Sequence, residues 1–364
     1  MKKLFILCAA AIFLVAFTAP SFAAEWSFYG SARMSMFWSS RDLGDNVDAA
    51  GEDTDSDLLQ SLQGNSRIGA NVKAGDNLVG RFEYGTGVNV RILWGEYDFG
   101  GFKLGVGQHY TPITYFLSNQ VIGSDEGMLS YGGIYGYRRG MVQAKIGSFK
   151  FALVNPQSST TVTDPLTGGS YLDPAGDAVF ADTDISWPKL EASWGFNAGG
   201  FSGQVSGGYN QYKIEGADQS KTVDSYVLGL GLKWDIGPFW LGGDAWIGKN
   251  PGNYGMYNQG RGTAGWDAVD EKVLDNDGFG WLFVVGFKMS DMFAFEGGLG
   301  STYYDLDTAA DTEEYSAWYV QANIAFAKGV FIVPEIGQLA NSSDLTGKDL
   351  GKTTYYGLKW QINF

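Results

Sequence analysis

The chain has 364 residues, 53 of them glycine, with 15% aromatics, one cysteine and a formal net charge of −15. So acidic a chain is a poor partner for nucleic acid, and a single cysteine excludes a disulfide framework. Only the first residues are apolar for long enough to suggest a helix in a membrane, where a span takes about 20.

That opening run is "MKKLFILCAAAIFLVAFTAPSFA". Lys2 and Lys3 make a basic start, Leu4 to Ala19 an apolar middle, and Ser21-Phe22-Ala23 a small-x-small cleavage site. The pattern predicts a secretory signal peptide over 1–23 and a mature chain over 24–364. Cys8 follows Leu7 with no small residue before it, which argues against a lipid anchor. The mature chain would be exported without cysteine, so its stability must come from the fold. Without Lys2 and Lys3 the basic residues number 23 against 40 acidic ones, a net charge of −17.

Next comes "WSFYGSARMSMFW", with Trp26, Phe28, Gly30, Ala32, Met34, Met36 and Trp38 at alternate positions. A period of two gives a strand with one apolar and one polar face. The acidic stretch "RDLGDNVDAAGEDTDSD" follows and reads as part of a long connection over 39–61. In "DSYVLGLGLKW" the apolar face is Tyr226, Leu228, Leu230, Leu232 and Trp234; in "FGWLFVVGFKM" it is Phe279, Trp281, Phe283, Val285, Phe287 and Met289. The chain ends on "TTYYGLKWQINF", where Tyr356, Leu358, Trp360, Ile362 and Phe364 alternate with Tyr355, Gly357, Lys359, Gln361 and Asn363. Helical periodicity is nowhere persuasive. Tight turns are expected at 75–77, 100–101, 197–200, 235–238, 290–291 and 328–329, and long connections at 39–61, 111–136, 156–184, 250–277 and 340–351.

A soluble all-β domain with a packed core would give the same alternation. Three features favour a barrel in a membrane instead: export, bulky aromatics near strand ends, and no second apolar sheet to pack against. A closed barrel also leaves no unpaired backbone edge in hydrocarbon. The expected fold is therefore all-β: a transmembrane antiparallel β-barrel of about 16 strands, with short periplasmic turns, long extracellular loops and both termini on the short-turn side.

From Ala24 to Phe364 the chain resembles the general porins of Gram-negative outer membranes. The likeness rests on the N-terminal strand, the alternating connections, the stretches "NSRIGANVKAG" and "GFKLGVGQHYTP", and the final strand ending on Phe364. It implies a homotrimer of water-filled barrels that pass small hydrophilic solutes, each narrowed by a third loop folded inward. It also implies that Phe364 is the signal read by the barrel-assembly machinery, and that lipid and lipopolysaccharide surround the barrel. The third loop would run from Thr111 to about Gly136 and carries Asp125 and Glu126. By parity, Arg33, Arg67, Arg81, Arg91 and Lys103 face inward from the first five strands, and Arg139 from the sixth. The resemblance implies loop acids set against basic wall residues, a transverse field across a constriction. The chain departs from the family pattern in Gln108, where relatives carry arginine, and in a second loop shortened to Gly85-Thr86-Gly87. Small residues on early strands (Gly30, Ala32, Gly64, Ala70, Ala74) suggest packing against a neighbouring subunit.

Other chemistries fit less well. His109 is the only histidine, and no serine stands out as its partner, so no enzymatic activity is expected. Asp53, Asp55 and Asp57, or Asp275, Asn276 and Asp277, could touch calcium, but neither set supplies a full ligand loop. No metal or cofactor is expected. Two rival readings remain: a substrate-specific channel, anion-selective through the basic ladder, and a structural or adhesive barrel with a plugged lumen.

Overall fold

The computed structural model describes residues 24–46 and 54–364, apart from 174, 218, 259 and 260. The expected signal peptide and Asp53 lie outside the described residues. Sixteen antiparallel strands close into one barrel. In chain order they are β1 (Glu25–Asp42), β2 in two segments (Thr54–Leu62 and Arg67–Lys73), β3 (Leu78–Gly85), β4 (Val90–Asp98), β5 (Lys103–Tyr110), β6 (Arg138–Ile146), β7 (Phe149–Val154) and β8 (Lys189–Ala198). The second half comprises β9 (Phe201–Glu215), β10 (Ser220–Ile236), β11 (Phe239–Lys249), β12 (Asn276–Lys288), β13 (Phe293–Leu306), β14 (Glu313–Ala327), β15 (Val330–Ser343) and β16 (Lys352–Asn363).

β16 closes the ring on β1, pairing Asn363–Lys352 with Ser31–Asp42. The last residue completes the seam: Gly30 donates its N–H to the Phe364 carbonyl at 2.6 Å, and Phe364 returns a bond to the Gly30 carbonyl at 3.1 Å. A Cβ on Gly30 would overlap the Phe364 ring, so the glycine makes room for the terminal aromatic. Phe364 itself is 71% exposed on the outer surface.

Alternation holds along the long strands. On β10 Tyr226, Leu228, Leu230 and Trp234 face out, while Val223 and Val227 are buried inside. On β16 Tyr356, Trp360 and Ile362 face out, and Tyr355, Lys359 and Gln361 are buried inside.

Three expectations are corrected. The connection expected over 39–61 is shorter: β1 runs to Asp42, and β2 begins at Thr54 and pairs with it, so only 43–53 connects them. Outside a bilayer a strand needs no apolar face, so alternation stops marking it while backbone pairing continues. The connections do not alternate strictly either. All those at one end are short, but at the other end 86–89, 216–219 and 307–312 are short as well. Gly64 lies in the break between the segments of β2, and its N–H is 3.2 Å from the Ser124 hydroxyl on the third loop, so it faces inward.

The wall is uneven in height. Strands β3 to β7 hold between 6 and 9 residues each, whereas β9 to β16 hold between 11 and 17. Inside the tall side lies an apolar core that sequence parity did not reveal. Val227, Trp246, Leu282, Val284, Tyr304 and Tyr319 point inward and pack on Ile113, Leu117, Met128, Tyr131 and Ile134 of the third loop, with Tyr254 and Met256 of the 250–275 connection. Each such side chain contributes about 1.5–3 kcal/mol by leaving water. The core joins sheet to loops, not sheet to sheet.

Candidate functional site

The third loop, 111–137, leaves the end of β5 and follows the inner wall past β9 to β16 as far as β1. Wall side chains hold its backbone. The Gln204 amide on β9 reaches the Pro112 and Ile113 carbonyls at 3.2 and 3.3 Å. Glu191 on β8 accepts the Ile113 N–H at 3.3 Å, and Glu296 on β13 accepts the Asn119 N–H at 2.8 Å. Glu335 on β15 accepts the Val121 and Ile122 N–H groups at 2.8 and 3.0 Å, and Gln63 donates to the Val121 and Gly123 carbonyls at 2.9 Å each. Two glycines allow close approach: a Cβ on Gly231 would overlap the Tyr115 ring, and one on Gly242 the Leu117 side chain.

Asp125 sits in the left-handed region at φ +60°, which aspartate tolerates better than most residues. It pairs with Arg33 on β1 and accepts from Lys359 on β16 at 3.1 Å. The loop acid thus touches the basic wall instead of facing it across water. Glu126, its neighbour, turns the other way and accepts from the Tyr257 hydroxyl at 3.1 Å. Burial raises its carboxyl pKa; the Tyr257 bond opposes that rise and Asp125 adds to it. The adjacent acids therefore do different things.

Opposite the loop stands the low wall. Its centre is Glu83 on β3, which is fully buried. Glu83 takes bonds from Arg91 Nε at 2.7 Å, Arg81 Nη2 at 2.9 Å and the Tyr29 hydroxyl at 2.9 Å, with Arg67 Nη1 at 3.5 Å. Asn65 accepts from Arg91 and Arg67 at 2.7 and 2.9 Å. Three arginines thus share one carboxylate. Sequence reasoning missed Glu83, although it alternates with Phe82 and Tyr84 and so shares the face of Arg81.

Arg91 faces inward, but not for the reason parity gave. The register skips from Glu83↔Ile92 to Tyr84↔Val90, leaving Arg91 in a bulge, and Ile92 turns inward beside it with 1% exposure. Arg91 itself is 5% exposed, so it braces the wall and does not line open water. Lys103 lies at the short-turn rim, 3.2 Å from Asp98, well away from the loop acids. Arg139 lies at the opposite end, on the first turn of β6. His109 packs against Trp94 and Tyr110, with ring centroids 5.5 and 5.6 Å away. Asp275 is engaged by Lys249 at 3.3 Å.

Beside the loop lies a cavity of about 600 Å³, bounded by Arg33, Asn65, Arg67 and Tyr110 on one side and by residues of β11 to β16 on the other. The charged groups on it are Arg33, Arg67, Lys288 and Lys359 against Asp125 and Glu296; its aromatic surface includes Phe116, Tyr110, Trp240 and Phe331. Of the predicted site residues the structure brings Arg33, Arg67 and Asp125 together here. Arg81 and Arg91 stand behind Arg67, while Glu126, Lys103 and Arg139 lie elsewhere.

This geometry is that of the outer-membrane porin fold. The outer membrane channel DcaP of Acinetobacter baumannii superposes with a TM-score of 0.68 at 19% identity, covering 94% of this chain and 97% of that one. The anion-selective porin from Comamonas acidovorans gives 0.57 at 12%, covering 94% and 100%. OmpT of Vibrio cholerae, in vitro folded and in trimer form, gives 0.57 at 15%, covering 94% and 100%. No protein-family model and no curated protein sequence matches the chain. The chain has the porin fold of Gram-negative outer membranes.

Proposed function

We propose that the chain forms a water-filled channel for passive diffusion of small hydrophilic solutes and ions across the outer membrane, with the constriction between the third loop and the low basic wall. The observation that carries this reading is the loop's attachment. Its backbone is fixed to the wall by Glu191, Glu296 and Glu335, while a charged cavity stays open beside it. Residues 1–23 act as the export signal, and the strand ending on Phe364 is the segment the assembly machinery recognises. Conductance of the purified protein in planar bilayers tests the reading; a barrel that carries no current sinks it.

A second reading, preference for anions, has an observation of its own. Four basic groups line the cavity against two acidic ones, in a low-dielectric passage that focuses their field. A reversal potential measured across a salt gradient decides it.

Assembly as a homotrimer is part of the same proposal. A tilted spanning strand takes about 9–11 residues, yet β7 has 6 and β3 and β5 have 8. The outer face of this low side is bulky, with Ile68, Leu93, Val106 and Phe151 exposed. Among the small residues expected there, Ala70 has no exposed surface and Gly30 is roofed by Phe364. Neighbouring copies would cover strands too short to meet lipid alone. Native mass spectrometry in mild detergent tests this, and exclusive monomer would overturn it.

A further inference from the structure

We propose that the long-loop mouth of the barrel holds a capture site for small organic anions, built on Arg138 and Arg139 and separate from the cavity beside the third loop. The inference rests on the channel reading and adds a place where solute is held before it reaches the constriction.

A cavity of about 350 Å³ opens at the start of β6, lined by Tyr137, Arg138, Arg139, Gln157, Met256 and Asn258 among others. That size lies within the range of small-molecule sites, about 300–1,000 Å³. Three consecutive residues line it, which a regular strand forbids because successive side chains point to opposite faces. Tyr137, just before β6, takes φ +64°, a left-handed conformation costly for a tyrosine. Strain of this kind persists where the surroundings enforce it, and it clusters at ligand sites.

The charges at the mouth lack counterparts. Arg33 pairs with Asp125, Arg67, Arg81 and Arg91 share Glu83, and Arg261 pairs with Glu313 at 3.2 Å. Among the described residues, no carboxylate lies within 4.0 Å of the Arg138 or Arg139 guanidinium. The acid closest in kind, Glu191, is committed to Lys189 at 2.8 Å and to the Ile113 N–H. Arg139 gives Nη2 to Gln157 at 2.8 Å and lies over the Tyr137 ring at 5.7 Å, while its Nε is buried without a partner. Arg138 lies over the Tyr110 ring at 5.5 Å. Arg138 also donates Nη1 to the Tyr110 hydroxyl at 3.5 Å, so both guanidiniums are held by tyrosine faces and neutral acceptors and neither has a counter-charge.

Two guanidiniums lining one cavity suit an oxyanion, because guanidinium donates charge-assisted N–H bonds to carboxylate or phosphate. Tyr137 and Met256 offer apolar contact to the body that carries the anion. The site therefore takes a carboxylate or phosphate group on a small organic body, not a neutral solute of the same shape.

The test is titration calorimetry on the full chain in detergent, with gluconate, glucose 6-phosphate, inorganic phosphate and glucose as probes. Gluconate separates a carboxylate preference from the phosphate preference that glucose 6-phosphate reports. At least one of the two organic anions should bind more tightly than inorganic phosphate, and glucose should not bind. The R138Q/R139Q protein should lose about tenfold or more in affinity, as expected when charge-assisted bonds are removed, whereas R67Q at the lumen cavity should keep its affinity. R139K, which retains the charge and loses the fork, should be weakened severalfold, and it serves if the double variant does not fold. Absent binding, equal loss in R67Q, or unchanged affinity in R138Q/R139Q or R139K would each overturn the site. Bilayer conductance separates the two claims: a chain that conducts and binds no anion loses only the site, and one that binds without conducting loses the channel.

Discussion

Between β2 and β7 the barrel wall is low, and its inner face carries Arg67, Arg81, Arg91 and Glu83, an ionic cluster around one buried carboxylate. Between β9 and β16 the wall is tall, and its inner face carries Val227, Leu282, Val284 and Tyr319, packed beneath the third loop. The first side is braced by buried ion pairs. The second is rigid through apolar contact, with carboxylates such as Glu335 reserved for loop N–H groups. The difference shows two ways of fixing an inner face: ion pairs within the wall on the low side, and apolar contact with hydrogen bonds from wall carboxyls to the loop backbone on the tall side.

The ionic side should be the easier to break. Replacing Glu83 by Gln leaves three arginines crowded without their shared counter-charge. Removing one partner of a buried ion cluster costs about 3–5 kcal/mol, so E83Q should lower the unfolding free energy by that order in urea melts. A loss below about 1 kcal/mol would mean that water already screens the cluster.

The loop side should yield next. E335Q replaces one of the two oxygens that accept the Val121 and Ile122 N–H groups by an amide NH2 that cannot accept, and a buried donor left unsatisfied costs about 1–3 kcal/mol. The loop should then be cut by added protease at least several times faster than in the unaltered protein, while the barrel remains folded. Equal cutting rates would show that the apolar contacts of Leu117 and Ile134 hold the loop without Glu335.

A third measurement bears on the boundary between the two sides. D125N frees Arg33 and Lys359 from their counter-charge and should move the reversal potential toward anions, more so in dilute buffer because the Debye length is about 10 Å at 0.1 M and about 3 Å at 1 M. E126Q should leave the reversal potential unchanged, since that carboxyl faces Tyr257 and not the cavity. The reverse result would relocate the constriction.

The smallest effect concerns pH. Burial raises the Glu126 pKa above its ordinary value of 4.5. The folded loop therefore favours the protonated carboxyl: this contribution is complete below 4.5 and is lost as pH rises through the folded value. Loop protection against protease should weaken modestly over that interval in the unaltered protein and stay flat in E126Q.

Much of this protein was legible in its sequence because a barrel wall is a local pattern repeated. Alternation along Tyr226–Trp234 and Tyr356–Phe364 gave faces and register, since strand geometry fixes which way each side chain points. The inward direction of Arg33, Arg67 and Arg81 followed from the same rule. Arg91 shows its limit, because one bulged residue shifts parity and only pairing with β3 reveals it. What the third loop touches could not be read at all. Its partners Glu191, Glu296, Glu335 and Lys359 lie on strands that end the chain or cross the barrel from it, and nothing in their local pattern separates an acid that clamps a loop from one that meets water. That choice depends on which wall the loop lies against, and tertiary packing alone decides it.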